Sequence, residues 1–186
     1  ENFLSKFPDP AANPWMANAL CDLATCQASL GRPEGALECL IRATDPFPDG
    51  GIAGTAWMMR ADLEQSLGKQ DAAEKSYLKA LEFYRKHGEG TERALAGLVV
   101  LLARDPLDDA RADRAVRFAG DYWKTAPPDS PEQTRVAIAA ASALDHLGRT
   151  DEALSRLREN MLRAARIPAS REFEMLVQSY SAIHLH

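Results

Sequence analysis

The chain has 186 residues, of which 46% are hydrophobic and only 7% aromatic, and its formal net charge at pH 7 is -5. This charge argues against nucleic acid as a partner, because contact with a phosphate backbone requires concentrated Lys and Arg. The longest strongly apolar stretch, residues 98–103, is far shorter than the roughly 20 residues that a membrane-spanning helix needs. Abundant Ala and Leu favour an all-helical, soluble protein.

Helical periodicity and helix-stop residues predict four antiparallel pairs of helices followed by one further helix. The predicted pairs span residues 14–30 with 33–44, 52–67 with 70–87, 91–104 with 110–125, and 131–147 with 150–166, and the last helix spans residues 171–185. Helix breakers recur at intervals of 40 residues, at Pro8, Pro48, Gly88, Pro128 and Pro168. We therefore expect one repeat domain over residues 1–186, taken from a longer protein, with units at about 14–48, 52–88, 91–128 and 131–168 and a partial unit at 171–186.

A short motif predicts the turn inside three of these pairs. It reads Leu-Gly-basic-x-acidic-x-Ala and occurs at residues 30–36, 67–73 and 147–153. The Gly suits the left-handed residue that ends a helix, and the acidic residue falls in the first turn of the next helix, where the macrodipole favours negative charge. We expect the final Ala to lie where the two helices cross.

A second small residue follows the crossing alanine by seven positions in the first two copies, at Ala43 and Ala80. In the last copy this place is taken by Asn160, which predicts a looser or more exposed crossing. The third pair lacks the motif, and residues 103–109 replace it with a longer loop. The acidic residues of this region, among them Asp108 and Asp109, are expected to serve the start of a helix.

These units resemble the tetratricopeptide repeat (TPR) family, which has a bulky residue early in the first helix, Leu-Gly at the turn and Ala in the second helix. The residues that match in the second unit are Trp57, Ala61, Leu67, Gly68, Ala73, Tyr77 and Ala80. The family's typical unit has 34 residues, whereas the period here is near 40. The resemblance implies an all-α, superhelical array of antiparallel helix-turn-helix repeats, a TPR-like α-solenoid, whose first helices (the A helices) line a concave groove.

Carrying over the family's groove positions implies a partner-binding surface. Its residues are Asn18, Asp22, Thr25, Thr55, Met58, Met59, Asp62, Gln65, Leu95, Leu98, Arg135, Ser142 and Asp145. Some family members hold a C-terminal carboxylate in a clamp of Lys, Arg and Asn, but here only Asn18 fits such a clamp. Met side chains beside carboxylates favour a basic, amphipathic peptide or helix instead. Met58 and Met59 are neighbours on a helix, so at most one of them is expected to face the groove fully.

No arrangement of residues predicts catalysis, a cofactor or a metal site. His146 lies beside Asp145, but no nucleophile accompanies them. Three cysteines, Cys21, Cys26 and Cys39, are odd in number and are expected to be reduced and buried, which favours the cytoplasm. The tryptophans, Trp15, Trp57 and Trp123, are expected to pack in the core.

The predicted function is therefore that of a protein–protein interaction scaffold without enzymatic activity. Two alternatives remain open at this point. The repeats could form a regulatory or targeting arm of a larger enzyme, or they could self-associate through the terminal helices. In the last helix the residues expected to mediate self-association are Phe173, Leu176, Val177 and Tyr180.

Overall fold

The computed structural model describes residues 15–45, 52–104, 107–127, 130–164 and 171–184, and in these residues it contains nine α-helices and no strand. The helices are α1 Met16–Ser29, α2 Pro33–Thr44, α3 Ala53–Ser66, α4 Gln70–His87, α5 Thr91–Leu102, α6 Asp109–Thr125, α7 Gln133–His146, α8 Thr150–Ala164 and α9 Arg171–His184. Every predicted helix is confirmed, with bounds that differ by no more than two residues.

The helices fall into two compact units, Glu1–Glu89 and Gly90–His186. In the first unit, α1 packs against α2, α3 packs against α4, and α2 joins the two pairs through α3. In the second unit, α5 packs against α6 and α7 against α8, while α9 packs on α8 and α7. The boundary between the units falls between the second and third predicted repeats. Of the predicted breakers, Gly88 ends α4 with a left-handed φ of 82°, whereas Pro8, Pro48, Pro128 and Pro168 lie outside the described residues.

The three Leu-Gly turns share one backbone geometry. Gly31, Gly68 and Gly148 have φ angles of 70°, 73° and 72°, a region that favours glycine. In each turn the residue after the Gly donates its N–H to the carbonyl oxygen five residues earlier, at 2.9 Å. This bond satisfies a carbonyl that the helix end would otherwise leave without a partner. The crossing alanines that follow, Ala36, Ala73 and Ala153, are all 0% exposed, which confirms the predicted turn and crossing.

The connection between α5 and α6 replaces the Gly turn with a side-chain cap. Asp108 precedes α6 in an extended conformation, and its Oδ1 accepts a hydrogen bond from the backbone N–H of Arg111 at 2.8 Å. A cap of this kind satisfies one of the donors that the first turn of a helix leaves unpaired. The expected role of the acidic residues at this helix start is therefore confirmed for Asp108.

A buried ion pair holds the first unit together. Glu64 of α3 is only 2% exposed, and its carboxylate lies 2.9 Å from Arg60 Nε and 2.6 Å from Ser76 Oγ of α4. Arg60 Nη1 also lies 2.8 Å from Asp45 Oδ1, at the end of α2. Because both oxygens of the buried carboxylate have partners, three helices are joined without an unsatisfied charge.

The helices α3 and α4 also approach closely near the start of α3. A Cβ atom added to Gly54 would lie 2.6 Å from a ring carbon of Phe83 and 2.6 Å from a ring carbon of Tyr84. Real side chains do not approach so closely, so only glycine fits here without displacement of an aromatic ring.

Three expectations about individual side chains need correction. Trp15 is 73% exposed, because it precedes the first turn of α1 and does not reach the core. Cys26 is exposed, while Cys21 and Cys39 are buried, since residues five apart on a helix point in different directions. Asn160 is buried, with 6% exposure, so its crossing is not exposed to solvent.

Candidate partner-binding surface

In the first unit, the A helices α1 and α3 present polar faces to solvent. Asn18, Asp22 and Thr25 follow one another at intervals of four and three residues, which places them on one side of α1. Thr55, Met59 and Asp62 have the same spacing on α3. The exposed residues of this set are Asp22, Thr25, Thr55 and Asp62, and the half-buried ones are Asn18, Met59 and Gln65. We call these seven residues the first-unit A face.

The apolar residues of the same helices point into the core. Leu20, Cys21 and Ala24 of α1 are buried in one cluster, and Met59 of α3 packs against that cluster as a half-buried residue. Met58 is 6% exposed and belongs to the core. The expectation that Met58 belongs to the binding surface is therefore wrong, and Met59 is the one of the two methionines that remains accessible.

Tyr77 of α4, one of the residues that match the family pattern, organises part of this face. The hydroxyl oxygen of Tyr77 lies 2.5 Å from Asp62 Oδ1 and 2.9 Å from Gln65 Oε1. A phenol has one hydrogen and donates to one acceptor at a time. Because Tyr77 belongs to α4, its hydroxyl group fixes the positions of Asp62 and Gln65 on α3. Asp22, in contrast, lies exposed on α1.

In the second unit the expected groove residues of α5 are buried. Leu95 and Leu98 are both 0% exposed, so the expectation that they line an exposed groove is wrong. The reason is that α5 is apolar on all sides after its first turn, with residues 94–99 and both Leu101 and Leu102 buried. A helix segment that is apolar on all sides is buried, whatever its position in the repeat.

The remaining candidate residues of the second unit lie on α7. Arg135 and Ser142 are exposed and Asp145 is half-buried. Arg135 Nη1 lies 2.9 Å from Glu132 Oε2, and Thr150 Oγ1 donates to Asp145 Oδ1 at 2.8 Å. Asp145 thus stabilises the turn before α8, which is a structural role that its expected groove position did not reveal.

Burial holds two of the three cysteines in their unreactive form. Burial raises the pKa of the Cys21 thiol to about 11, with a smaller contribution from the Asp22 carboxylate. Burial also raises the pKa of Cys39. Because the thiolate is the reactive form of cysteine, both thiols are protonated and unreactive at neutral pH. Among the described residues, no group of three His, Cys, Asp or Glu side chains is placed to hold a metal ion. None of the described helices is both long and apolar enough to cross a membrane.

The apolar residues of α9 are largely used within the second unit. Leu176 is 0% exposed, and Tyr180 and Ile183 pack against the cluster that contains it. Tyr180 also accepts a hydrogen bond from Arg158 at 2.9 Å. Of the large apolar residues of α9, only Met175 is exposed, at 39%, while the others are buried or half-buried. The set Phe173, Leu176, Val177 and Tyr180 is therefore not a continuous exposed patch.

The architecture of paired helices joined by Leu-Gly turns is that of an all-α repeat solenoid. Two crystal structures share this fold, and both contain nearly identical TPR-like repeats described as those of a kinesin light chain from Podosopora anserina. The first has a TM-score of 0.69 at 16% identity and covers 93% of this chain and 87% of the other. The second, a variant of the same repeats, has a TM-score of 0.71 at 16% identity and covers 92% and 86%.

The family comparison agrees with the fold. Residues 54–87, which comprise most of α3 and all of α4, match the family model of the tetratricopeptide repeat. The chain therefore has a TPR-like repeat fold, with a recognisable tetratricopeptide repeat in its second helical pair, and the resemblance drawn from its motifs is confirmed. No curated protein sequence matches the chain.

Proposed function

We propose that this chain is a non-catalytic protein–protein interaction scaffold, which binds a peptide or helix of a partner protein on the A helices. The first-unit A face is the part of the predicted site that best supports the proposal, because its polar residues are accessible on two neighbouring helices. Repeat proteins of this class commonly bind partners on such a surface. The reduced cysteines support a cytoplasmic location as part of the same proposal.

The chemistry of the face favours a basic, amphipathic partner segment. Asp22 and Asp62 supply negative charge on α1 and α3, and Met59 supplies an adaptable apolar surface between polar neighbours. Carboxylates at the rim of an interface select partner charge and raise the association rate more than they raise affinity. Leu95 and Leu98 are left out of the proposed surface because they are buried.

The test compares two charge reversals in the same helical pair. Asp22→Lys lies on the A face, whereas Glu38→Lys lies on α2, and both side chains are exposed. We expect Asp22→Lys to reduce recovery of specific partners from a cell extract about tenfold, since it places like charges together, and Glu38→Lys to leave recovery unchanged. Asp62 is a poorer choice for this test because its substitution would also break the contact with Tyr77.

Quantitative mass spectrometry of the recovered proteins, with circular dichroism to verify folding, provides the measurement. Equal recovery with Asp22→Lys and the unsubstituted chain would show that the A face of α1 does not bind the partner. Loss with Glu38→Lys alone would move the site to the second helices of the repeats.

A further inference from the structure

One face of α3 packs on the helical pair that precedes it. Ile52, Ala56, Met59 and Leu63 follow one another at intervals of four, three and four residues, which places them on one side of the helix. Ala56 is buried in a core cluster with residues of α1 and α2, and the other three pack against that cluster as half-buried residues. This face therefore joins the second pair to the first.

The pair α7–α8 uses the equivalent face of its first helix in the same way. Its Leu-Gly turn lies 80 residues after that of α3–α4, so Ala143 corresponds to Leu63 and Leu147 to the turn residue Leu67. Ala143 is buried in a cluster with residues of α5 and α6, and Leu147 packs against the same cluster. In both pairs the preceding pair covers this face of the A helix.

The equivalent face of α1 is open to solvent. The turn of the first pair lies 37 residues before that of the second, so the corresponding residues are Trp15, Ala19, Asp22, Cys26 and Leu30, which we call the α1 stacking face. Trp15 is 73% exposed and Leu30 is 68% exposed, and they are two of the three most exposed large apolar side chains among the described residues. Asp22 and Cys26 are exposed as well, and Ala19 is half-buried.

The helix that covers this face in the second pair indicates what would cover it in the first. In that pair α3 packs against α2, which contributes Ala36, Leu40 and Ala43 to the shared cluster. These residues are spaced by four and three positions and form a stripe along α2. Small residues in such a stripe let two helices approach closely, and the leucine fills the space between them.

We propose that the α1 stacking face docks an amphipathic α-helix of another protein, with a stripe of Ala and Leu like that of α2 and a Lys or Arg beside it. Trp15 and Leu30 supply apolar area at the two ends of the face. Asp22 stands where α3 has Met59, and its carboxylate selects a basic residue in the partner. A second copy of this chain fits less well, because two such faces packed antiparallel would bring Asp22 of one against Asp22 of the other.

The probe is a capped helical peptide with the sequence of residues 32–45, in which Ser replaces Cys39 and a hydrocarbon staple joins positions 34 and 38. The staple is needed because an isolated helix of this length is marginal in water. Positions 34 and 38 are exposed on α2, so the stripe stays free. The staple also removes two glutamates, which leaves two arginines against one aspartate. The counterpart peptide has Ser in place of Leu40.

Two signals from different points of the face report binding. NMR of the isotopically labelled chain follows the indole N–H of Trp15, and mass spectrometry follows alkylation of Cys26 by iodoacetamide. Cys21 and Cys39 are buried, so Cys26 reacts first. We expect a saturable shift of the Trp15 signal, and alkylation of Cys26 about tenfold slower at a peptide concentration of about ten times Kd. Saturation without protection of Cys26 would overturn the proposal.

The counterpart peptide should bind about tenfold more weakly, because it lacks the leucine of the stripe. Leu30→Ser in the chain should weaken binding of the first peptide about tenfold for the same reason. Leu162→Ser is the matched control, since Leu162 lies on α8 of the second unit and is 69% exposed, against 68% for Leu30. It should leave the affinity unchanged. Equal affinity of the two peptides, or unchanged affinity in Leu30→Ser, would overturn the proposal.

Two controls distinguish other occupants of the face. A concentration-dependent dimer of the unliganded chain that Leu30→Ser abolishes, measured by sedimentation, would overturn the assignment to another protein in favour of a second copy. A chain that begins at Trp15 and binds the peptide at least about tenfold more tightly would overturn it in favour of the chain's own preceding segment. Leu30 and Cys26 do not belong to the first-unit A face, so failure here is distinguishable from failure of the proposed scaffold surface.

Discussion

The helical pairs α3–α4 and α7–α8 have the same turn, but they differ in the residues that pack between their helices beyond that turn. Both contain the Leu-Gly motif, a buried crossing alanine and the same hydrogen bond of 2.9 Å that closes the turn. In α3–α4 the second crossing residue is Ala80, at 0% exposure, and Glu64 is buried in an ion pair. In α7–α8 the equivalent crossing residue is Asn160, which lines a cleft.

The comparison indicates that a few residues determine how the two helices of a pair turn and cross, while the other residues of the pair vary independently. The left-handed glycine and the small crossing residue are common to both pairs. Polar groups are buried in each, but in α3–α4 they join the helices to one another, and in α7–α8 they border open space. The first arrangement stabilises the fold of its pair.

Substitution at the two crossing residues should have the largest effect on the free energy of unfolding. We expect Ala80→Asn to lower the free energy of unfolding by about 3 to 4 kcal/mol, because a larger polar side chain enters a closed crossing. Asn160→Ala should cost less than about 1 kcal/mol, since it removes one hydrogen bond beside a cleft. Urea unfolding of both variants measures the difference. Equal costs would show that the two crossings are packed alike.

Removal of Glu64 and removal of Glu159 should also differ in their effect on the free energy of unfolding, by a smaller amount than the crossing substitutions. Glu64→Ala leaves Arg60 and Ser76 without their buried partner and should cost about 3 kcal/mol. Glu159→Ala removes loose contacts on a side chain that is 53% exposed, and solvent screening limits its cost to about 0.5 kcal/mol. Chemical denaturation again provides the measurement, with Glu64→Gln as an intermediate case that retains hydrogen bonding. A cost below 1 kcal/mol for Glu64→Ala would argue against the buried pair.

Substitution of the turn glycines should have the smallest effect on the free energy of unfolding, and this effect should be the same in both pairs. Neither Gly68 nor Gly148 has an atom within 4 Å of an added Cβ, so Ala in either place suffers only the backbone penalty of a positive φ. That penalty is about 1 kcal/mol. Thermal or urea unfolding of Gly68→Ala and Gly148→Ala should therefore show matching losses, and a marked difference would mean that the turns are not equivalent.

The turns and helix bounds could be predicted because their causes are local. A glycine after a helical pattern, an acidic residue in the following turn and a small crossing residue are each visible within seven residues of sequence. The same reasoning could not identify the buried Glu64, since an acidic residue on a helix is normally exposed. Its partner Ser76 lies on another helix, and only the packed structure brings the two together.

The candidate surface was predicted less well for a related reason. Position within the repeat located accessible residues on α1, α3 and α7, but it also selected Met58, Leu95 and Leu98, which are buried. The apolar sequence of α5 was the better indicator there. The cleft was anticipated only as a looser crossing at Asn160, because the side chains that line it come from three different helices.

Each of the two pairs also has a tryptophan as an optical reporter, within α3 in the first case and on the neighbouring α6 in the second. Trp57 of α3 has the Arg60 guanidinium 5.0 Å from its ring centre, and Trp123 has that of Arg156 at 6.0 Å. Indole fluorescence responds to nearby charge and water, so each ring should report the state of the arginine above it. Replacement of the exposed Trp15 and one other tryptophan by Phe would leave a single indole. One such chain would follow the ion pair of the first unit and the other the cleft of the second, without any attached dye.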